Sequence, residues 1–108
     1  MILSIVIPVY NSARILDDLI NQILLHLDKN IELVADFEIV LVNDNSRDES
    51  WQTIKEICKK QKKIKGINLS KNFGQHNALM AGIKNSKGDF LITMDDDLQH
   101  PPSYMVEI

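Results

Sequence analysis

The apolar run Ile39–Val42 (IVLV), in the middle of the chain, ends abruptly in the polar loop Asn43–Ser46 (NDNS). A short, uninterrupted run of β-branched and aliphatic residues is typical of a strand buried on both faces. Ser46 with Glu49 three residues later matches a capping box, which predicts a helix beginning near Asp48. A buried strand, a tight polar loop and a helix together form the repeating unit of a parallel α/β sheet.

Three further segments predict strands. Leu3–Val9 predicts a first strand, followed by a helix whose apolar residues recur at helical spacing between Ile15 and Leu27. Lys65–Leu69 predicts a strand before a helix over Gln75–Asn85, and Phe90–Met94 predicts the last strand. Strands that alternate with helices indicate a layered α/β fold with a mostly parallel sheet covered on both faces.

Polar residues follow three of the predicted strands, at 8–12, 43–48 and 95–99. Right-handed crossovers place the carboxyl ends of parallel strands on one edge of the sheet, so these clusters are expected to meet there. Open α/β sheets bind their ligands at that edge. The convergence predicts a binding site.

Composition limits the kinds of function that this site can serve. The chain has 108 residues, of which 44% are hydrophobic, enough for one core. A net charge of −3 argues against nucleic-acid binding, and a single cysteine excludes a disulfide framework and a multi-cysteine zinc site. Because neither a signal peptide nor an apolar run of about 18 residues is present, a cytoplasmic or cytoplasm-facing domain is expected.

The acidic run Asp95–Asp97 favours a divalent cation. In an extended backbone Asp95 and Asp97 lie on the same side, roughly 6.6 Å apart, where they repel by about 2.5 kcal/mol at an effective dielectric constant near 20. No Lys or Arg lies between Gly88 and Ile108 to compensate, so Mg²⁺ or Mn²⁺ is the expected partner, with a solvated acidic loop as the alternative. No glycine-rich phosphate loop is present, but Asp44 could accept from a nucleobase N–H while the cation holds a diphosphate.

Four blocks of the sequence resemble the N-terminal half of a family 2 glycosyltransferase of the GT-A fold. They are Ile5–Asn11 (IVIPVYN), Val42–Asp48 (VNDNSRD), Asn72–Gly82 (NFGQHNALMAG) and Met94–Pro102 (MDDDLQHPP). The resemblance implies a three-layer, Rossmann-like nucleotide-binding half with strand order 3-2-1-4. It also implies that residues 1–108 are the nucleotide-sugar-binding half of a longer domain, without the acceptor half.

The resemblance also implies roles for individual residues. Pro8, Tyr10 and Asn11 would bind the nucleotide, and Asp44 would accept from the base. Asp95 would contact the donor or a metal-bound water, and Asp97 and Gln99 would ligate Mg²⁺ or Mn²⁺. Asp95 and Asp97 are therefore the expected catalytic residues.

Three substitutions depart from the family pattern. Asn43 replaces the commoner first acid of the loop, and Asp96 replaces an alanine between the motif acids. Asn45 replaces a glycine, so it must tolerate the left-handed backbone that glycine supplies.

The last two blocks are similar to those of enzymes that transfer a sugar from a nucleotide donor to a polyprenyl phosphate. The implied reaction inverts the anomeric carbon and uses a UDP- or GDP-linked sugar at the cytoplasmic face of a membrane. The present chain is expected to bind the donor only and to self-associate through the edge strand Phe90–Asp95. A non-catalytic metal- and nucleotide-binding α/β module is the alternative.

Overall fold

The computed structural model describes residues 2–29, 36–69 and 75–94. The elements in these ranges are β1 (Ile2–Val9), α1 (Ala13–Lys29), β2 (Asp36–Asn43), α2 (Ser50–Lys60), β3 (Ile64–Asn68), α3 (Gln75–Lys84) and β4 (Phe90–Thr93). The strands form one sheet in the order β3-β2-β1-β4, and all neighbouring pairs are parallel. The predicted α/β fold and strand order are confirmed.

The two central strands are buried on both faces. Ile5 and Ile39, which pair in register, belong to the larger core cluster, which includes the inner residues of α1 and α2. Val6 and Val40, the next pair along, belong to a second cluster with Ala78 of α3. The sheet is therefore the middle layer of three, which explains why β1 and β2 are apolar without alternation.

The helix α3 packs close to the sheet because it presents small residues to it. Ala78 is fully buried, and Gly82 lies one turn later on the same face. A Cβ atom on Gly82 would lie 2.3 Å from Cγ1 of Val6 and 3.0 Å from Cγ2 of Val42. The spacing of Ala78 and Gly82 in the third family-like block therefore has a packing cause.

The helix α1 buries five of the residues expected from its periodicity, namely Leu16, Leu19, Ile20, Ile23 and Leu27. It is the longest of the helices described, with 17 residues. Within the described ranges, no helix combines the length and apolar character needed to cross a membrane.

The predicted capping box is wrong. The helix α2 begins at Ser50 rather than near Asp48, and Glu49, its N-cap residue, makes no side-chain capping hydrogen bond. The Asp48 carboxylate accepts from the backbone N–H of Ser50 at 2.9 Å instead. Asp48 takes the place of the Ser46–Glu49 pair because an Asp side chain readily bonds to the backbone N–H two residues further on.

A buried carboxylate stabilises the opposite end of the sheet, near the start of the strands. Glu38 accepts from the Ser4 hydroxyl at 2.6 Å and from the Lys87 backbone N–H, and it forms an ion pair with Lys65 at 2.9 Å. Ser4 Oγ in turn accepts from Gly88 N at 2.7 Å. Burial alone raises the pKa of Glu38, but the hydrogen bonds from Lys65, Ser4 and Lys87 outweigh it and lower the pKa to about 2.

Candidate functional site

Two of the predicted site residues emerge side by side at the carboxyl ends of β1 and β2. The register pairs Val9 with Asn43, and the next N–H, that of Asp44, donates to Val9 O at 2.9 Å. Tyr10 follows Val9, so Tyr10 and Asp44 leave neighbouring strands that lie about 4.8 Å apart. Tyr10 is 43% exposed and Asp44 is 4% exposed. An accessible aromatic residue therefore lies next to a buried acidic one.

Pro8 is buried in the central strand without disturbing the ladder to β2. Val9 O accepts from β2, whereas Val6 O accepts from Met94 N. Because backbone groups alternate in direction along a strand, Pro8 turns its nitrogen to the same side as Val6. The described ladder with β4 ends at the pair of Val6 and Thr93. The missing N–H of Pro8 therefore lies on the β4 side, beyond the last described pair, while the ladder to β2 continues to the pair of Val9 and Asn43.

Reciprocal hydrogen bonds join the β1–α1 loop (residues 10–12) to the β2–α2 loop (residues 44–49). Asn11 N donates to Ser46 Oγ at 3.0 Å, and Arg47 N donates to Asn11 Oδ1 at 2.8 Å. Asn11 and Asn45 both have left-handed backbones, with φ of 52° and 53°. The expectation that Asn45 adopts a glycine-like conformation is confirmed, and Asn is among the residues that best tolerate it.

Asp48 connects the first turns of the two helices. Its carboxylate accepts from Ala13 N at 3.1 Å and from the Ser50 hydroxyl at 2.6 Å, while Ser12 N donates to Ser50 Oγ at 2.8 Å. Partial burial raises the pKa of Asp48, but the bonds from Ser50 and Ala13 outweigh it and lower that pKa below its usual value. A carboxylate near two helix N-termini is also favoured by the helix dipoles.

Asn43, which replaces the commoner acid of the family pattern, hydrogen bonds to two neighbouring segments. Asn43 Nδ2 donates to Asn68 Oδ1 at 2.8 Å, and Asn43 Oδ1 accepts from Ser46 N at 3.3 Å. An ionised aspartate could accept from Ser46 but could not donate to Asn68. Asn43 therefore links β2 to β3 and to the loop beyond it.

The remaining predicted site residues, Asp95, Asp97 and Gln99, lie outside the described residues. The strand that precedes them is adjacent to β1, since Met94 N donates to Val6 O at 3.1 Å. Among residues 2–29, 36–69 and 75–94, no group of three His, Cys, Asp or Glu side chains is arranged to hold a metal ion. The predicted cation site thus depends on the acids that follow β4.

The structure brings together Pro8, Tyr10, Asn11 and Asp44, which were all predicted for nucleotide binding. Sequence reasoning missed the parts that Ser46 and Ser50 take in joining the two loops. The signal that could have indicated these bonds is the presence of small polar residues after β1 and β2. Such residues, when they follow neighbouring parallel strands, are able to bond across the edge of the sheet.

Comparison with known proteins gives the same family at the level of sequence. The family model described as Glycosyl transferase family 2 matches residues 4–107. An undecaprenyl-phosphate 4-deoxy-4-formamido-L-arabinose transferase of Aeromonas hydrophila is 39% identical over 102 residues, which cover 94% of this chain and 30% of the relative. The relative of the same name from Shewanella sediminis is 43% identical over 100 residues, covering 92% of this chain and 29% of the relative. The chain spans about three tenths of the length of these curated relatives.

Solved structures match the fold. TarS 1-349 of S. aureus in complex with UDP-GlcNAc has a TM-score of 0.74 and 28% identity, covering 90% of this chain and 27% of that one. The mannosyltransferase PcManGT from Pyrobaculum calidifontis, in complex with GDP-Man and Mn²⁺, is similar in fold alone, with a TM-score of 0.72 and 17% identity over 88% of this chain and 27% of that one. The sheet order and three layers are those of the Rossmann-like half of the GT-A fold. The family match over nearly the whole length, on a sheet of this order, shows that the chain belongs to glycosyl transferase family 2.

Proposed function

We propose that this chain forms the nucleotide-sugar-binding half of a glycosyltransferase that transfers a sugar to a polyprenyl phosphate. The observation that carries the proposal is the pairing of exposed Tyr10 with buried Asp44 at the carboxyl ends of β1 and β2. This is the edge at which open α/β sheets bind nucleotides.

Tyr10 and Asp44 have complementary roles in binding a base. The exposed ring of Tyr10 offers a flat apolar face on which a nucleobase stacks, and Pro8 belongs to the wall beneath. A carboxylate at Asp44 accepts from a base N–H where little water competes, so the hydrogen bond is stronger than an exposed one. Uracil and guanine both carry such an N–H, and the TarS complexes with UDP and UDP-GlcNAc favour a UDP-linked sugar.

The residues after β4 are proposed to bind the diphosphate through a cation. Asp95 contacts the donor, and Asp97 and Gln99 hold Mg²⁺ or Mn²⁺. Carboxylate and amide oxygens suit these hard cations, and β4 leads to this segment from a position next to β1. Such a cation, when bound, stabilises the negative charge that grows on the leaving nucleoside diphosphate.

We infer the acceptor and the cellular location from the names of the relatives. Their names specify undecaprenyl phosphate, which supports a polyprenyl phosphate as acceptor and the cytoplasmic face of a membrane as the place of reaction. A phosphate acceptor is already anionic, so inversion at the anomeric carbon needs positioning of the acceptor more than a general base. Acceptor binding and transfer belong to the whole protein, of which residues 1–108 supply the donor half.

Self-association through the edge strand stays a prediction. In the described part of the chain β4 is the last strand beyond β1, and Phe90 and Leu91 are 54% and 43% exposed. An apolar strand at a sheet edge favours pairing with a second copy. A monodisperse monomer in light scattering at high protein concentration would contradict it.

Calorimetric titration tests the proposed function. UDP and GDP are titrated into the chain with and without Mn²⁺, and we expect saturable binding that depends on the metal and is lost in Asp97→Ala. Asp44→Asn removes the charge of the base acceptor and is expected to weaken binding at least about 10-fold, since hydrogen bonds to charged groups contribute about 1.5–3 kcal/mol. Asp28→Asn, at the far end of α1, makes the same charge change and serves as the control. A folded wild-type chain that binds neither nucleotide would refute the proposal.

A further inference from the structure

We propose that Asn11 is a positioning residue that fixes Tyr10 relative to Asp44 and thereby sets the affinity for the base. The inference rests on the proposed function, because it takes Tyr10 and Asp44 as the base-binding pair. It assigns to Asn11 a role that acts through the neighbouring loop, in place of the direct nucleotide contact implied by the family resemblance.

The hydrogen bonds of Asn11 are directed at the protein. Its backbone N–H donates to Ser46 Oγ, and its side-chain Oδ1 accepts from Arg47 N at 2.8 Å. Asn11 has a left-handed φ of 52°, and both groups bond to the β2–α2 loop. One residue thus forms two hydrogen bonds to consecutive residues of the opposite loop.

These bonds close a small ring around the pair that is proposed to bind the base. On the strand side, the ring is closed by the bond from Asp44 N to Val9 O at 2.9 Å. On the outer side, it is closed by the two bonds of Asn11. Between these two cross-links lie only Tyr10 on one loop and Asp44 with Asn45 on the other.

Cross-links on both sides restrict the backbone of these residues before any ligand binds. Without the outer cross-link, the next bonds between the two loops would be those from Ser12 N to Ser50 Oγ and from Ala13 N to the Asp48 carboxylate. Tyr10 and Asp44 would then lie in a longer stretch between cross-links and would lose more conformational freedom on binding. Rigidity in the bound conformation increases affinity because less conformational entropy is lost on association. The expected effect is a weaker nucleotide affinity when the outer cross-link is cut, with the sheet unchanged.

Two substitutions cut the outer cross-link from opposite sides. Asn11→Gly keeps access to the left-handed backbone and removes the acceptor for Arg47 N. Ser46→Ala leaves the Asn11 side chain in place and removes the acceptor for its N–H. Asn85→Gly and Ser86→Ala, in the α3–β4 connection, are matched controls, since these residues bond only locally to Ala81 O and Ile83 O through their side chains.

The affinity of the chain for UDP and for GDP in the presence of Mn²⁺ is the first readout, and amide hydrogen exchange without ligand is the second. We expect Asn11→Gly and Ser46→Ala each to weaken the tighter-bound nucleotide about five-fold, because an ordering cost is then added to binding. Asn11→Gly should also lose exchange protection at the Arg47 amide and keep it at the Leu41 amide in β2. The two control variants should bind as the wild type does.

The possible results separate the inference from the proposed function. Loss of affinity in Asn11→Gly with exchange protection kept at the Arg47 amide would show that Asn11 contacts the nucleotide itself, which overturns the positioning role. Wild-type affinity in both variants, or exchange protection lost throughout β2, would also overturn it while the proposed function stands. A wild-type chain that binds neither nucleotide refutes the proposed function and the inference with it.

Discussion

The free energy of unfolding of this chain should decrease at acid pH, because Glu38 becomes protonated there. We consider the substitution Glu38→Gln, which keeps the size of the side chain and removes its charge. The carboxylate is buried and accepts from Ser4 and from the Lys87 backbone N–H, and it pairs with Lys65. Loss of the charge weakens all three interactions, because hydrogen bonds to a charged acceptor are about twice as strong as neutral ones.

The magnitude follows from the pKa. The ordinary pKa of Glu38 is 4.5, and the native environment lowers it to about 2. At about 1.36 kcal/mol per pKa unit, the ionised form contributes about 3 kcal/mol to the free energy of unfolding. Because the native pKa is the lower one, this contribution is complete above pH 4.5 and is lost as the pH falls through about 2.

Urea unfolding followed by circular dichroism measures the effect. The free energy of unfolding of Glu38→Gln should be about 3 kcal/mol below that of the wild type at pH 7, and the difference should shrink steadily below pH 4.5. Asp36→Asn is the control, since Asp36 pairs with Lys63 at the surface and should change the unfolding midpoint little. A difference of the same size at pH 7 and pH 2.5 would refute this reasoning, because it would not come from the charge.

Three further predictions concern packing, backbone conformation and thiol reactivity. Gly82→Ala should destabilise the chain by about 1–3 kcal/mol in urea unfolding, since its Cβ would lie 2.3 Å from Val6 Cγ1. The added Val6→Ala should reverse part of that loss, and an equal loss without any such rescue would argue against the clash. Asn45→Gly should increase the free energy of unfolding by about 0.5 kcal/mol and raise the melting temperature slightly, because glycine adopts the φ of 53° without strain. A lower melting temperature would contradict this prediction. Cys58 should react slowly with a disulfide reagent at pH 8, because burial raises the pKa of its thiol, and a rate equal to that of free cysteine would exclude that explanation.

The architecture was predictable from the sequence because strand and helix patterns differ clearly in this chain. The short apolar runs within β1 and β2 favour buried strands, and the periodicity of α1 predicts a helix with one apolar face. Once the strands are parallel, right-handed connections place Asp44 and Tyr10 at the same edge of the sheet. The strand order came from the family resemblance, since local patterns do not specify which strands are neighbours.

The parts that were not predictable depend on contacts between residues distant in sequence. Glu38 lies in an apolar strand and is compensated by Lys65 and by the Lys87 backbone, 49 residues away. Asp48, next to the start of α2, accepts from Ala13 N at the start of α1, 35 residues earlier, which a local capping rule does not consider. The tertiary arrangement therefore decided both the capping of α2 and the partners of the buried acid.

The Glu38 network and the Tyr10 loop are attached to opposite ends of the same strands, with a solid apolar sheet between them. Substitutions around Tyr10 that aim to change the proposed nucleotide preference are therefore expected to leave the Glu38 network intact. Conversely, a chain in which the Glu38 network has first been stabilised should tolerate more of the destabilising substitutions around Tyr10.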